Sequence, residues 1–341
     1  MKQPSLVSGL QPSGRLHIGN YLGTLKHLVD LQDSGKYQCY FFIADLHSLT
    51  ENFDSKDKRG QILELAAEFL AAGLDPVKDS DESHGASSKK SVIFLQSQIP
   101  AHSELAWIFD TVTPLGELHR MTQFKDKSEH QKENVNAGLF MYPTLMAADI
   151  LLYDPQFIPT GDDQSQHVEF TRTVARRFNA RYGKTFFEPQ NLLTKTPRIM
   201  ALNDPHKKMS KSQPETCLFI DDSPAEIEAK MKRAVTDSGS EIRFDIAHKP
   251  AISNLLTIYS SLANEPIAKI ERRFVGKNYS VFKADLAGII ADHFADFRKK
   301  KKALMAKPST LVSTLKTGSV RASKVANAKM VEVRKKVGIA L

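Results

Sequence analysis

The sequence predicts an α/β chain, with a parallel sheet covered by helices on both faces over about the first two hundred residues and a mostly helical remainder. Three observations carry that reading. Short apolar runs alternate with helical patterns through the first part of the chain. The runs are continuous rather than alternating apolar and polar, as strands buried on both faces require. Beyond about residue 205 strand-like runs fade and helical spacing takes over.

Leu6–Leu10 is a short apolar run that ends in the turn Gln11-Pro12-Ser13-Gly14. Gly19 then opens a helical pattern, with Tyr21, Leu22, Leu25, Leu28, Val29 and Gln32 recurring at three and four. Tyr37–Ala44 and Ser91–Gln96 read as buried strands. Between them Ile62, Leu65, Ala66, Phe69 and Leu70 share one helix face, which stops before Gly73 and Pro76. Lys78–Lys90 is polar and serine-rich, so it reads as a surface loop. Further on, Asp222-Ser223-Pro224 with Glu226 marks a helix start. Helical spacing continues through Ile252–Leu262, Phe282–Phe297 and Leu311–Val337. In sheets of this kind ligands bind in the loops beyond the carboxyl ends of the strands.

With 341 residues, 41% apolar and 25% charged, the composition is that of an ordinary globular chain. Two cysteines, Cys39 and Cys217, make neither a disulfide scaffold nor a four-cysteine metal site. No apolar run reaches the roughly 18 residues of a membrane span, and the N-terminus lacks a signal-peptide profile. The expectation is a cytoplasmic protein without membrane association. Its net charge of +8 is uneven: from Phe297 onward thirteen Lys or Arg face one acid, Glu332. A basic end on a slightly acidic body fits a polyanionic partner, and equally a solvated helical face.

Two segments carry chemistry. Gly14-Arg15-Leu16-His17-Ile18-Gly19-Asn20 lies between a strand and a helix. Its glycines let backbone approach a ligand, and the helix start offers free N–H groups to a phosphate. Taken alone, such a segment is more often a glycine-containing strand–helix turn with a satisfied histidine. Lys207-Lys208-Met209-Ser210-Lys211-Ser212, flanked by Pro205 and Pro214, could close over a polyphosphate. Most lysine clusters are only exposed loops, but the five letters KMSKS arise by chance in roughly one chain of this length in ten thousand.

In this order, with 191 residues from His17 to Lys208, the two segments resemble the paired signature of class I aminoacyl-tRNA synthetases. Ser8–Gly14 (SGLQPSG), Glu117–Lys127, Tyr142–Tyr153 (YPTLMAADILLY), Gly161–Arg172 (GDDQSQHVEFTR) and Ala234–Ser238 (AVTDS) extend the resemblance to tryptophanyl-tRNA synthetases of the bacterial type. It runs from about Ser8 to Gly338, with Lys78–Lys90 read as an insertion.

The resemblance implies a Rossmann-like catalytic domain over 1–200 and a helical tRNA anticodon-binding domain over 201–306, with the KMSKS loop at its start. The last helix, about 307–341, would pack back on the catalytic domain. The implied reaction joins L-tryptophan and ATP into tryptophanyl-adenylate with release of pyrophosphate, then moves tryptophan to the terminal adenosine of its tRNA. For ATP the matching positions are Gln11, Ser13, His17, Gly19, Asn20, Gly161, Asp163, Ile199, Lys208, Met209, Ser210, Lys211 and Ser212. Lys208, Lys211, Gln11 and Lys127 are the implied catalytic set, with Mg²⁺ carried by the phosphates. For tryptophan they are Val7, His47, Gln123, Tyr142, Met146, Asp149, Ile158, Thr160 and Gln164. Gln123, Tyr142 and Gln164 suit the ammonium group, and Asp149 the indole N–H. A homodimer is also implied.

Some positions depart from the family pattern. Val7 stands where many relatives place phenylalanine, Thr160 where they place valine, and His17 where threonine is common. No protein-bound zinc or iron–sulfur cluster is expected. Trp107, the single tryptophan, reads as a packing residue. Two other readings remain at this point: a tyrosyl-tRNA synthetase, which shares fold and signatures, and a non-catalytic tRNA- or tryptophan-binding paralogue. The MAAD pattern favours indole over phenol, and intact His17, Asn20, Lys208 and Lys211 favour catalysis.

Overall fold

The computed structural model describes residues 3–78, 89–121, 135–161, 165–193, 197–211 and 213–341, together with the backbone but not the side chains of Thr160 and Leu193. Five strands, β1 (Ser5–Leu10), β2 (Gln38–Ile43), β3 (Ser91–Leu95), β4 (Phe157–Thr160) and β5 (Gln190–Leu193), form one sheet in the order β3-β2-β1-β4-β5. Every pairing is parallel, as the apolar runs predict, and the strand order is the Rossmann-like one that the resemblance implies. The direction of the strand order reverses between β1 and β4. Their carboxyl ends, Leu10 and Thr160, lead into Gln11–Ser13 and Gly161, three of the positions implied for ATP. The strand cores are buried, as continuous apolar runs require: Phe41, Ile43, Ile93 and Phe94 are at most 1% exposed.

The chain divides into two compact units. The first comprises residues 1–13, 28–195 and 307–341 and contains the sheet. Its helices are α3 (Ser55–Ala72), α4 (Ala101–Asp110), α5 (Leu115–His119), α6 (Ala137–Leu151), α7 (Ser165–Tyr182) and α13 (Pro308–Val337). Leu311, Leu315, Ala322, Ala326, Met330 and Val333 make the buried stripe of α13, each of the larger ones contributing roughly 1.5–3 kcal/mol. This helix lies directly on β3. A Cβ added at Gly318 would fall 1.8 Å from the carbonyl oxygen of Ile93, so only glycine allows the approach. Covering the edge strand β3 in this way also removes it as a site of strand addition.

The second unit comprises 14–27 and 196–306. The first signature segment therefore groups with the helical part of the chain, although its sequence position falls within 1–200. The cause is backbone pairing: Ile18 N–H donates to Leu218 and Ile220 N–H donates to Leu16. This unit contains α1 (Ile18–Asn20), a π-helical turn (Tyr21–Leu25), α8 (Pro224–Arg233), α9 (Pro250–Ala263), α10 (Ile267–Arg273), α11 (Tyr279–His293) and α12 (Ala295–Met305). Helix α2 (Lys26–Asp33) contains the boundary between the units. Ser223 and Glu226 form a capping box at the start of α8, where the sequence signals a helix start. In the AVTDS segment, Asp237 accepts from the free N–H groups of Ala251 and Ile252 at the start of α9.

The basic end is divided between the units and is not uniformly solvated. Lys301 is 7% exposed and bonds Asp221 at 2.8 Å. Lys329 bonds Asp154 at 2.7 Å, and Arg334 clasps Glu104 through two nitrogens. Lys299, Lys300, Lys302, Lys307, Lys316, Lys324, Lys335 and Lys336 remain exposed. Trp107 is not a packing residue: it lies 68% exposed on α4, and Leu115 at the start of α5 is 66% exposed. Among the described residues no helix is long and apolar enough to cross a membrane.

Candidate active site

In the sheet unit the residues implied for tryptophan come from the ends of strands and from α6. Val7 on β1 and Ile158 on β4 are nearly fully buried and share one apolar cluster, against which Met146 of α6 packs. Asp149 lies one turn further along α6, 1% exposed. Its carboxylate is held by three donors. Gln96 Nε2 and His102 Nδ1 donate to Oδ1 at 2.7 and 2.6 Å, and His47 Nε2 donates to Oδ2 at 2.6 Å. Burial opposes its ionisation, yet His47 and His102 outweigh that and hold the carboxyl at about 2. An ionised acceptor is thus fixed beside an apolar surface.

Gln96 and His102 carry no signature in the sequence. The available signal is position: Gln96 directly follows β3 and His102 lies in the first turn of α4, at the carboxyl edge where ligands bind. Gln96 also accepts the Leu46 N–H at 3.1 Å, which ties the loop carrying His47 to the same point. The Tyr142 hydroxyl lies 2.8 Å from His167 Nε2, and the Tyr142 ring meets His47 edge-on at 6.1 Å. Burial raises the Tyr142 phenol's pKa, so the hydroxyl facing His167 keeps its proton.

In the second unit the two signature segments are joined. His17 caps α1: the Asn20 N–H donates to its Nδ1 at 3.2 Å, and the Asn20 Oδ1 accepts the His17 N–H at 3.2 Å. This ties up Nδ1 as an acceptor, which only a neutral imidazole with its proton on Nε2 can be. Burial, then the charges of Lys211 and Lys208, push the His17 pKa down to about 4. His17 is therefore a neutral donor, and the positive charge is on the lysines. Gly19 makes room for the ring, since a Cβ there would stand 3.0 Å from it and 3.5 Å from Ile199 Cβ.

The lysine-rich segment is a hairpin rather than a loose loop. Met209 N–H donates to Ile199, Ala201 N–H donates to Lys207, and Met209 is 2% exposed. Cys217 Sγ donates to the Ser210 carbonyl at 2.9 Å, and Lys211 Nζ donates to the Gly14 carbonyl at 2.8 Å. Gly14 has φ +86°, open to glycine but strained for other residues. Arg15 bonds both Asp221 and Asp222, which Lys301 and Lys230 bond in turn. Gln11 and Ser13 form a turn at the end of β1, the Ser13 N–H donating to Gln11. Lys127, Gln123, Asp163, Gln164 and Ser212 lie outside the described residues, as does the Thr160 side chain.

Comparison with known proteins separates the amino-acid specificities. The profile "tRNA synthetases class I (W and Y)" matches residues 1–295. A tryptophan–tRNA ligase of Caldanaerobacter subterraneus is 45% identical over 339 residues, 98% of each chain. The chain belongs to the tryptophanyl-tRNA synthetases. Two solved members of that family superpose over nearly their full length. The tryptophanyl-tRNA synthetase of Mycoplasma pneumoniae does so with TM-score 0.86 at 33% identity, covering 99% of both chains. That of Campylobacter jejuni, solved with ADP and tryptophan, gives TM-score 0.82 at 35% identity, covering 98% of this chain and 99% of that one. As a member of the tryptophanyl-tRNA synthetases this chain is a tryptophan–tRNA ligase, an ATP-dependent aminoacyl-tRNA ligase.

Proposed function

We propose that tryptophan selection rests on Asp149 and its apolar surroundings, and that ATP is handled by the His17, Lys208 and Lys211 group. The observation that carries the first part is an ionised carboxylate, buried and held by Gln96, His102 and His47, with one lone pair of Oδ2 beyond the His47 bond. An indole N–H satisfies that lone pair; a phenyl ring leaves it unpaired and buried, which is how such a site rejects phenylalanine. His47 holds that oxygen and its ring meets Tyr142 edge-on, with Tyr142, Gln123, Gln164 and Thr160 as further tryptophan contacts.

Adenylate formation is attack of the tryptophan carboxylate on the α-phosphorus of ATP, with pyrophosphate leaving. No protein nucleophile is required, only alignment and stabilisation of charge. Lys208 and Lys211 neutralise the β- and γ-phosphates, while the His17 Nε2–H and Asn20 supply neutral donors. Gln11 and Lys127 act at the α-phosphate side; Ser13, Gly19, Gly161, Asp163, Ile199, Met209, Ser210 and Ser212 complete the ATP contacts. The phosphate-side residues are lysine, histidine and amide donors rather than carboxylates, so Mg²⁺ would be carried by phosphate oxygens and water and would supply charge neutralisation. The Gly14 carbonyl accepts from Lys211 Nζ, a bond that phosphates would replace.

The second step delivers tryptophan to the tRNA end. The exposed lysines of α12 and α13 supply phosphate attraction to that polyanion, and the helices of 201–306 are the anticodon-reading region. A homodimer is the assembly expected of this role, and exposed Trp107 and Leu115 are large apolar side chains that an interface would cover. A cytoplasmic location fits this role. Tryptophan-dependent exchange of pyrophosphate into ATP tests the assignment of residues: loss in Lys211→Ala with retained tryptophan binding is expected, and equal loss of both would contradict it.

A further inference from the structure

Asp149 is the carboxylate on which the tryptophan reading depends, and its two oxygens are treated differently. Oδ1 takes two donors, Gln96 and His102, which saturates it. Among the described residues Oδ2 takes one, His47, whose ring meets that of Tyr142 edge-on. The chain of contacts continues behind Oδ1. His102 Nε2 lies 2.9 Å from the Tyr153 hydroxyl, and Tyr153 stacks on Tyr40 with ring centroids 5.0 Å apart. His102 and Gln96 are 0% exposed and Tyr153 3%, so these contacts lie away from bulk solvent.

The order of protons along this chain follows from its ends. Burial, then the charge of Asp149, raises the ionisation of Tyr153 well above the usual phenol range, so the hydroxyl keeps its proton. A protonated hydroxyl facing Nε2 can donate to it, and does so once the ionised carboxylate takes its donor from Nδ1. A neutral imidazole then carries its single hydrogen on Nδ1, where the carboxylate needs a donor. We propose that Tyr153 and His102 are positioning residues for tryptophan selection: Tyr153 fixes the tautomer of His102, His102 with Gln96 fills Oδ1, and Oδ2 is thereby left as the oxygen presented to the indole N–H. The proposal rests on the reading of Asp149 as the indole acceptor. It assigns specificity to two buried residues that touch neither substrate.

The test uses the full-length chain in two arms. In the first, histidine labelled with ¹⁵N reports the tautomer of His102, assigned by comparison with His102→Asn. A protonated Nδ1 and an unprotonated Nε2 are expected; a protonated Nε2, in either the other tautomer or the cation, overturns the proposal. In the second, kcat/KM for tryptophan and phenylalanine is compared by ATP–pyrophosphate exchange. Tyr153→Phe is expected to raise KM for tryptophan by about two- to tenfold, the net worth of one neutral hydrogen bond, with KM for ATP unchanged. His102→Leu is expected to do the same or more, whereas His102→Asn, whose amide N–H occupies the Nδ1 position, retains selectivity. If His102→Leu fails to fold, Tyr153→Phe and the spectrum decide. An unchanged ratio in Tyr153→Phe beside a lowered one in Asp149→Asn overturns the relay and leaves the Asp149 reading intact. An unchanged ratio in Asp149→Asn overturns that reading, and the specificity role with it.

Discussion

Replacing Asp149 by asparagine keeps the shape and removes one acceptor. The amide oxygen must choose a side. Turned toward Gln96 and His102 it satisfies two donors; turned toward His47 it satisfies one and sets its NH₂ against two. The first orientation wins, so the NH₂ takes the place of Oδ2, and His47 must switch tautomer to accept from it. The indole N–H then meets a donor instead of an acceptor. A hydrogen bond to a charged group is worth about 1.5–3 kcal/mol, which converts to roughly 10- to 150-fold in kcat/KM for tryptophan. Phenylalanine, which never used that oxygen, should lose far less, so the selectivity ratio falls by nearly the whole factor. Exchange kinetics with each amino acid measure the ratio, and a thermal melt checks folding. Asp149→Ala is the poorer variant, because three buried donors lose their partner at a cost of about 3–5 kcal/mol. A folded Asp149→Asn enzyme with an unchanged ratio would refute the reasoning.

Other consequences are open to simpler measurements. The His17 pKa is depressed from 6.5 to about 4, so the unfolded chain binds the proton first. Stability from this group is full above pH 6.5 and falls as pH drops toward 4, by at most about 3 kcal/mol; urea midpoints of wild type and His17→Asn should converge as pH falls across that window, and parallel curves would contradict it. Gly318→Ala drives a Cβ into the Ile93 carbonyl and should destabilise by at least about 3 kcal/mol, measured by denaturant unfolding. Lys211→Ala should slow adenylation in single-turnover experiments more than it weakens tryptophan binding, because its partners are the transferring phosphates.

Much of the fold is legible in the sequence because the strands are apolar on both faces. Tyr37–Ala44 and Ser91–Gln96 overlap β2 and β3 to within a residue or so at each end. Long-range pairing is not legible. Nothing periodic marks Leu16 and Ile18 as partners of Ile220 and Leu218, the backbone bonds that draw the first signature into the helical unit. Gly318 reads as a weak point of a helix until Ile93 is seen beneath it. The position of Asp149 is readable through its family pattern, but its holders Gln96 and His102 are separated from it by 53 and 47 residues and recur in no spacing. Charge is similarly ambiguous along the chain. Lys301, Lys329 and Arg334 look like the rest of the basic end, and only acids brought from elsewhere, Asp221, Asp154 and Glu104, make them structural.

The central claim is that an ionised, buried Asp149 makes this enzyme read an indole. Amino-acid-dependent ATP–pyrophosphate exchange on the purified full-length protein, run in parallel with tryptophan, tyrosine and phenylalanine, tests it most directly. The account predicts exchange with tryptophan that exceeds the other two by several orders of magnitude. Exchange with tyrosine or phenylalanine approaching that with tryptophan would contradict it.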